Sequence, residues 1–276
     1  MSELPSPPAR FTDTTPATRF TYDHDGERLD GVHGIAHGGA PGRPAVVLLH
    51  GAGTSSKERL LPLLGEFVAR GCRGLAFDFS GHGESTGTLR ELSLRRRFEQ
   101  AVAVIDAQVP ASEPLVLVGF SMSGQTVADL AAHYGARVAS LGLCAPAVYA
   151  PEAWDVPFGE RNGRFSAIIR TPDRWRRSPA LDALRAYEGR AVLVVPGTDA
   201  VIPAAVTESV QAALSARARF TRLELPDATH ALGMWLRDHE RDRGELADAL
   251  LTGLDDKEGE DGQTWHGRQD RQATQV

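Results

Sequence analysis

The sequence predicts an α/β protein built on a mostly parallel sheet, and three observations carry that prediction. Apolar runs of four to eight residues alternate with amphipathic stretches, as in βαβ units. Several runs are apolar throughout, which is typical of strands covered by helices on both faces. With 276 residues, of which 42% are hydrophobic, the chain is long enough for one such domain.

Seven apolar runs are predicted to be strands. A Pro/Gly turn separates the first two, so we expect those two to pair antiparallel. The later runs alternate with helical patterns, which favours parallel pairing. The predicted strands lie at residues 29–37, 45–50, 72–78, 115–119, 138–144, 191–195 and 219–225.

Five helices are predicted from apolar residues at helical spacing. Gly71 and Pro110 end the first two, and Pro62 marks an alternative start for the first. Three successive arginines, Arg95 to Arg97, are expected on a solvated face of the second helix. The predicted helices lie at residues 55–70, 94–109, 122–134, 203–216 and 234–254.

The two ends of the chain are poor in folding signals. Residues 1–18 contain four prolines, and residues 255–276 carry six acidic against three basic residues. Such segments bury too little apolar surface to offset their ordering entropy. The sequence therefore predicts a flexible segment at 1–18, a folded domain at 19–254 and a disordered acidic tail at 255–276.

Composition excludes several classes of function. A net charge of −6 gives no footprint for nucleic acid. We expect a cytoplasmic protein, because there is neither a signal peptide nor a run apolar enough to span a membrane. Cys72 and Cys144 lie in apolar runs and are expected to be reduced. No metal site, phosphate loop or cofactor is expected, and the sequence does not indicate an oligomeric state.

The segment GFSMSG, residues 119–124, joins a predicted strand to a predicted helix. Ser121 would lie on a tight turn, where small neighbours let the two backbones cross closely. The helix N-terminus supplies free N–H groups and partial positive charge, which favour an oxyanion. Ser121 is therefore either a nucleophile or only a helix cap. A strict GxSxG pattern has glycine where this chain has Ser123, which is expected inside the first helical turn.

A serine hydroxyl attacks poorly without a base that takes its proton and a carboxylate that orients the base. Asp199 and His230 each follow a predicted strand, at the sheet edge where Ser121 is expected. The chain order of nucleophile, acid and histidine is typical of one fold. Asp227, in the same loop as the histidine, is the alternative acid.

The loop HGAG, residues 50–53, directly follows an apolar strand. Acyl transfer needs two donors at the developing oxyanion. The backbone N–H groups of Met122 and Ala52 are the candidates. His50 is expected to brace this loop by hydrogen bonds rather than to take part in the chemistry.

Taken together, these motifs resemble the landmarks of the α/β-hydrolase superfamily, and the resemblance runs from about residue 19 to residue 254. The matching motifs are HGAG at 50–53, DFSGHGES at 78–85, GFSMSG at 119–124, GTDAVIP at 197–203 and ATHAL at 228–232.

The resemblance implies an eight-stranded, mostly parallel sheet flanked by helices, with residues 146–188 as a small helical cap over the active site. It implies Ser121 as nucleophile, Asp199 as acid and His230 as base. The amides of Ala52 and Met122 would form the oxyanion hole. Asp78 and His82 lie in a turn that usually shapes the site without taking part in the chemistry.

The segment 146–188 is rich in aromatic and basic residues. Its arginines either steer an anionic group of a substrate or belong to a basic surface. Its large apolar side chains either line an acyl pocket or pin the segment to the domain. The candidate substrate contacts are Trp154, Phe158, Phe165 and Trp175.

The function expected from the resemblance is that of a serine hydrolase. It would cleave a carboxylic ester of a small molecule through an acyl-enzyme on Ser121. A thioester or amide substrate, with the same three residues, is the near alternative. The alternative from another class is a non-hydrolytic member that binds or rearranges a metabolite.

Overall fold

The structure, a computed structural model, describes residues 17–35, 43–159 and 163–254. The first sixteen residues and the predicted tail at 255–276 lie outside the described residues. The first strand begins at Ala17 and so takes up the last two residues of the predicted N-terminal segment.

The described residues form an eight-stranded sheet in the order β1-β2-β4-β3-β5-β6-β7-β8. Strand β2 pairs antiparallel with β1 and with β4, and every other neighbouring pair is parallel. This confirms the mostly parallel, eight-stranded sheet. The strands are β1 Ala17–His24, β2 Glu27–Gly34, β3 Ala45–Leu49, β4 Arg73–Phe77, β5 Leu115–Phe120, β6 Val138–Cys144, β7 Arg190–Thr198 and β8 Arg219–Thr229.

Helices cover both faces of the sheet. α1, α7 and α8 contribute to an apolar core on one face, and α2 to α6 contribute to the core on the other. Ser93 caps α2 by accepting a hydrogen bond from the Arg96 backbone N–H at 3.2 Å. The helices are α1 Leu61–Ala69, α2 Leu94–Gln108, α3 Ser123–Tyr134, α4 Arg164–Ile169, α5 Pro179–Ala186, α6 Ala204–Leu214, α7 Leu232–Asp238 and α8 Glu240–Leu251.

The expected pairing of the first two predicted strands is wrong. β4 and β5 are hydrogen-bonded to the two sides of β3, so β3 has no free edge for β2. The sequence also gave no indication of β1, a largely exposed edge strand in which Phe20 and Tyr22 are the large apolar residues. The single helix predicted at 234–254 is two helices, because the backbone at His239 is extended.

The segment predicted as a cap contains α4, α5 and two short 3₁₀ helices, Pro151–Ala153 and Arg174–Arg177. It is attached beside α2: the Arg95 N–H donates to Trp154 O at 3.1 Å, and the Phe158 N–H donates to Leu92 O at 2.8 Å. Within the three described ranges, no helix is long and apolar enough to cross a membrane.

Candidate active site

Ser121 lies between β5 and α3 with a φ of 51°. Few residues other than glycine adopt this left-handed conformation, and it usually has to be held by its surroundings. Here the Ser121 N–H donates to Cys144 O at 2.9 Å, while the Ser121 carbonyl accepts from Gly124 and Ala147 at 2.8 and 2.9 Å. These bonds fix a sharp turn that presents the side chain at the carboxyl edge of the sheet.

Two glycines let this turn form. A Cβ at Gly119 would lie 2.5 Å from Ser123 O, where the strand and the helix cross. A Cβ at Gly124 would lie 2.5 Å from Pro146 Cβ. The second close approach therefore falls at position 124, which explains how position 123 can carry a serine.

The structure brings together the three residues that the sequence singled out. His230 Nε2 lies 3.0 Å from Ser121 Oγ, and His230 Nδ1 lies 2.9 Å from Asp199 Oδ2. The other Asp199 oxygen accepts the backbone N–H groups of Val201 and Ile202, both at 2.8 Å. The carboxylate is therefore held in place, and it favours the imidazole tautomer with hydrogen on Nδ1 and a free lone pair facing the hydroxyl.

The alternative acid, Asp227, is not part of this arrangement. Asp227 lies in the exposed end of β8. Its carboxylate is not within salt-bridge distance of His230, whose carboxylate partner is Asp199. Asp199 is the carboxylate that bonds His230.

The two amides expected at the oxyanion hole flank the turn. A Cβ at Gly51 would come within 3.3 Å of Ser121 Cβ, so the loop that carries Ala52 passes directly beside the turn at Ser121. Met122 is the residue before the first residue of α3. Among the described residues, neither N–H donates to a backbone or side-chain acceptor. Both donors are thus available to a ligand oxygen.

His50 braces this loop, as the sequence predicted. Its side chain is fully buried. Nε2 accepts the Phe79 N–H at 3.1 Å, and Nδ1 donates to Gly51 O at 2.6 Å. Burial, with the positive charge of Arg97, lowers the pKa of His50 well below its usual value, so the ring is neutral.

Two fully buried cations flank the same loop, and sequence reasoning missed both. Lys57 Nζ lies 2.7 Å from Asp78 and 2.5 Å from Asp30. Burial alone would lower the pKa of Lys57, but hydrogen bonds to these two carboxylates raise it overall. The cluster joins the turn after β4 to the 3₁₀ helix Lys57–Arg59.

Arg97 corrects the expectation of a solvated basic face on α2, because its side chain is fully buried. One guanidinium nitrogen donates to His50 O and to Ser123 Oγ, both at 2.7 Å, and the group stacks 3.7 Å above the Phe79 ring. Burial lowers the pKa of Arg97 to about 9. The position could have been found from spacing, since it follows Leu94 by three and precedes Ala101 by four on the apolar face.

A cleft of about 160 Å³ opens beside Ser121. Its walls come from the loop after β3, the turn at Ser121 and the start of α7, and they include Leu60, Phe120 and Met234. No described residue of 146–188 lines it. The segment therefore packs beside the cleft rather than forming its wall.

The four aromatic residues expected at the substrate do not line this cleft, which corrects that expectation. Phe158 and Phe165 are buried against each other, with ring centroids 4.6 Å apart, in the apolar core. Trp154 packs near Phe98 at 5.9 Å, and Trp175 stacks with Arg176. Phe158 and Phe165 therefore pin the segment to the core, and Trp154 packs it against α2.

No group of three or more His, Cys, Asp or Glu side chains in the described part of the chain could hold a metal ion. What the site offers instead is a hydroxyl, an imidazole, a carboxylate and two free N–H groups. Such a set can support attack on a carbonyl carbon and stabilise the resulting oxyanion.

The model of the "Alpha/beta hydrolase family" matches residues 46–188, just over half of the chain, and the chain belongs to that family. Among curated proteins, it is similar to monoacylglycerol lipase ABHD6 of Bos taurus, with 31% identity over 111 residues. The human protein of that name matches with 31% identity over 111 residues as well.

These matches cover 40% of this chain and 32% of each relative, so the chain matches about a third of their length. Among solved structures, the thioesterase domain from the curacin biosynthetic pathway has a TM-score of 0.65 at 16% identity, over 86% of this chain and 100% of that one. Est1E from Butyrivibrio proteoclasticus with ferulic acid bound has a TM-score of 0.63 at 18% identity, over 84% and 99%. At such identities the likeness concerns the fold alone.

Proposed function

We propose that the protein is a serine hydrolase that cleaves a carboxylic ester of a small molecule through an acyl-enzyme on Ser121. The observation that carries the proposal is the continuous hydrogen-bond chain from Ser121 Oγ through His230 to Asp199. A helix cap alone needs neither the histidine nor the oriented carboxylate. The similarity to a monoacylglycerol lipase agrees with ester hydrolysis.

In the first half of the reaction, Ser121 Oγ attacks the ester carbonyl carbon while His230 Nε2 takes the hydroxyl proton. The carbonyl oxygen becomes an oxyanion between the N–H groups of Ala52 and Met122. Asp199 stabilises the imidazolium that forms. Collapse of the tetrahedral intermediate breaks the ester C–O bond, and His230 gives its proton to the departing alcohol.

In the second half, a water molecule takes the place of the alcohol. His230 removes one proton from the water as its oxygen attacks the acyl carbon. Collapse of this second intermediate breaks the bond to Ser121 Oγ, and the imidazolium returns the proton to the serine. The products are a carboxylic acid, an alcohol and the starting enzyme.

The size of the cleft favours a short acyl group. Its volume of about 160 Å³ is below the roughly 300–1,000 Å³ typical of ligand pockets. Leu60 and Phe120 give it an apolar wall. We therefore expect p-nitrophenyl acetate and butyrate to be cleaved faster than the dodecanoate.

The test is covalent labelling with a fluorophosphonate, followed by kinetics on p-nitrophenyl butyrate. Labelling should place one adduct on Ser121, and Ser121→Ala should lower kcat by about 10³-fold or more without changing the melting temperature. Asp199→Asn should cost far more turnover than its matched control Asp227→Asn. His230→Ala should likewise lower kcat far more than its matched control His239→Ala. His239 hydrogen-bonds to the Trp235 carbonyl instead of to Ser121 or Asp199.

An unlabelled Ser121, or an active Ser121→Ala variant, would overturn the nucleophile assignment. Comparing kcat/KM for a butyryl ester, the matching thioester and the matching amide then shows which of the three bonds the protein cleaves best. Labelling without turnover of any of the three would favour the non-hydrolytic alternative.

A further inference from the structure

A second cavity, of about 340 Å³, lies between α3 and the segment that follows β6. Asp129 and Gln125 line it from α3, while Tyr149 and Trp154 supply aromatic walls. It shares no lining residue with the cleft at Ser121. It is therefore a separate place where a ligand can be held.

Asp129 is the unusual group in this cavity. Both of its oxygens lie 3.0 Å from the same donor, Gln125 Nε2. Among the described residues, no arginine, lysine or histidine lies within salt-bridge distance of it. An ionised carboxylate can accept about four hydrogen bonds, so most of its acceptor capacity is unused.

Gln125 cannot turn to relieve this shortage. Its amide oxygen accepts the Tyr149 N–H and the Ser178 hydroxyl, both at 3.0 Å. The amide is fixed with its NH₂ group toward Asp129. An alcohol or amide side chain at 129 could satisfy that NH₂ equally well, so the contact with Gln125 does not by itself require a carboxylate.

The surroundings of Asp129 favour a cation from outside the chain. Burial raises the pKa of Asp129 to about 7, which means that its negative charge lacks compensation. Tyr149 is the other titratable group that lines the cavity. Of the charged groups nearby, His133 is exposed one turn along α3 and packs against Phe98, and Glu152 is paired with Arg177. The buried Arg97 on α2 interacts electrostatically with Tyr149 and not with Asp129.

We propose that this cavity binds a small organic ammonium ion, with the cation against Asp129 and the apolar part against Trp154 and Tyr149. An ammonium donates to the unused carboxylate lone pairs, and the aromatic walls pack against the apolar part of the ligand. The volume is at the lower end of ligand pockets, which fits one small amine. The site is independent of the chemistry at Ser121.

The experiment compares 2-phenylethylammonium with 2-phenylethanol, which has nearly the same shape but no charge. Both are titrated calorimetrically into the full chain in phosphate buffer at constant ionic strength. At pH 8 the ammonium should bind at least tenfold more tightly than the alcohol. From pH 8 to pH 6 its affinity should fall about tenfold, because a proton must leave Asp129 before the cation binds, while the probe itself stays charged.

Variants separate the site from general charge effects. Asp129→Asn retains an acceptor for Gln125 and should remove both the preference for the ammonium and its pH dependence. Asp182→Asn, at an exposed carboxylate paired with Arg185, is the matched control and should leave both unchanged. Trp154→Leu should lower the affinity for the ammonium and leave the pH dependence of that affinity unchanged.

The proposal is overturned if the ammonium binds no better than the alcohol, or if neither binds. It is also overturned if Asp129→Asn keeps the preference for the ammonium.

Discussion

Lys57 and Arg97 are both fully buried cations beside the loop that follows β3, but only one of them has a counter-ion. Two buried carboxylates, from Asp78 and Asp30, contact the Lys57 ammonium, and the partly exposed Glu58 carboxylate lies 3.4 Å from it. Arg97 is held by neutral groups only: a hydroxyl, a carbonyl and the face of Phe79. Two of its three guanidinium nitrogens have no acceptor among the described residues.

The comparison distinguishes a charge that stabilises the fold, at Lys57, from a charge that lies beside the proposed oxyanion hole, at Arg97. At Lys57 the positive charge is compensated by buried carboxylates, and the cluster fixes the turn that begins at Asp78. Arg97 bonds His50, two residues before Ala52, and Ser123, the residue after Met122. Its uncompensated positive charge therefore contacts both segments that carry the amides proposed for the oxyanion hole.

Removing the cation from the paired cluster should give the largest loss of stability. Lys57→Met leaves two carboxylates buried without a counter-ion, and breaking a buried pair in this way costs about 3–5 kcal/mol of unfolding free energy. Urea denaturation measures it.

Arg217→Met is the control, because the exposed pair between Arg217 and Glu188 should contribute less than about 1 kcal/mol. Adding Asp30→Asn to Lys57→Met should restore part of the loss. Equal effects of Lys57→Met and Arg217→Met would mean that the buried cluster does not stabilise the fold.

Removing the unpaired cation should instead lower the rate. Arg97→Met deletes a costly buried charge, and His50 O still accepts from Ser123 Oγ at 2.6 Å, so stability should change by less than about 1 kcal/mol. We expect kcat for p-nitrophenyl butyrate to fall about tenfold to a hundredfold with KM nearly unchanged, less than for loss of a direct oxyanion donor. Arg96→Met, at the neighbouring arginine paired with Glu27, is the control.

A lysine at position 97 tests whether the charge or the shape matters. Without a carboxylate, burial lowers the pKa of such a lysine. The kcat of Arg97→Lys should therefore decline at a lower pH than that of the wild type, in which burial lowers the pKa of Arg97 only to about 9. A parallel pH profile of the two proteins would assign the effect of Arg97 to shape alone.

The sequence predicted the sheet well where burial makes strands apolar throughout, as in β3, β5 and β6. It could not predict the order of the strands in the sheet, because the sequence of an apolar strand does not specify which strand it pairs with. β2 was therefore assigned to β3 instead of β4. The exposed edge strand β1 lacks the apolar run that signals a buried strand.

The candidate site was predictable because parallel strands end at one edge. Ser121 and His230 are 109 positions apart, yet both follow strands, and their side chains meet at 3.0 Å. The role of Arg97 and the positions of the aromatic side chains of 146–188 were not predictable from composition. Arg97 follows two other arginines, so its place on the apolar face of α2 was overlooked. The aromatic residues of 146–188 gave no sign of which way their rings would face.

The smallest expected effect is that of Ser123→Ala. Ser123 Oγ donates to His50 O and accepts from Arg97, so it joins the turn at Ser121 to the loop that carries Ala52. In the variant His50 O still accepts from Arg97 at 2.7 Å, so no carbonyl is left unpaired. We expect a loss of about 1 kcal/mol in stability and less than about fivefold in kcat.

Ser140→Ala is the matched control, because the Ser140 hydroxyl is buried without a hydrogen-bond partner among the described residues and its removal should cost no stability. If Ser123→Ala lowered kcat as much as Arg97→Met, the serine hydroxyl would be the group that holds the loop. The positive charge of Arg97 would then matter only through its bond to Ser123. A small effect at Ser123 beside a large one at Arg97 assigns the contribution to the unpaired charge.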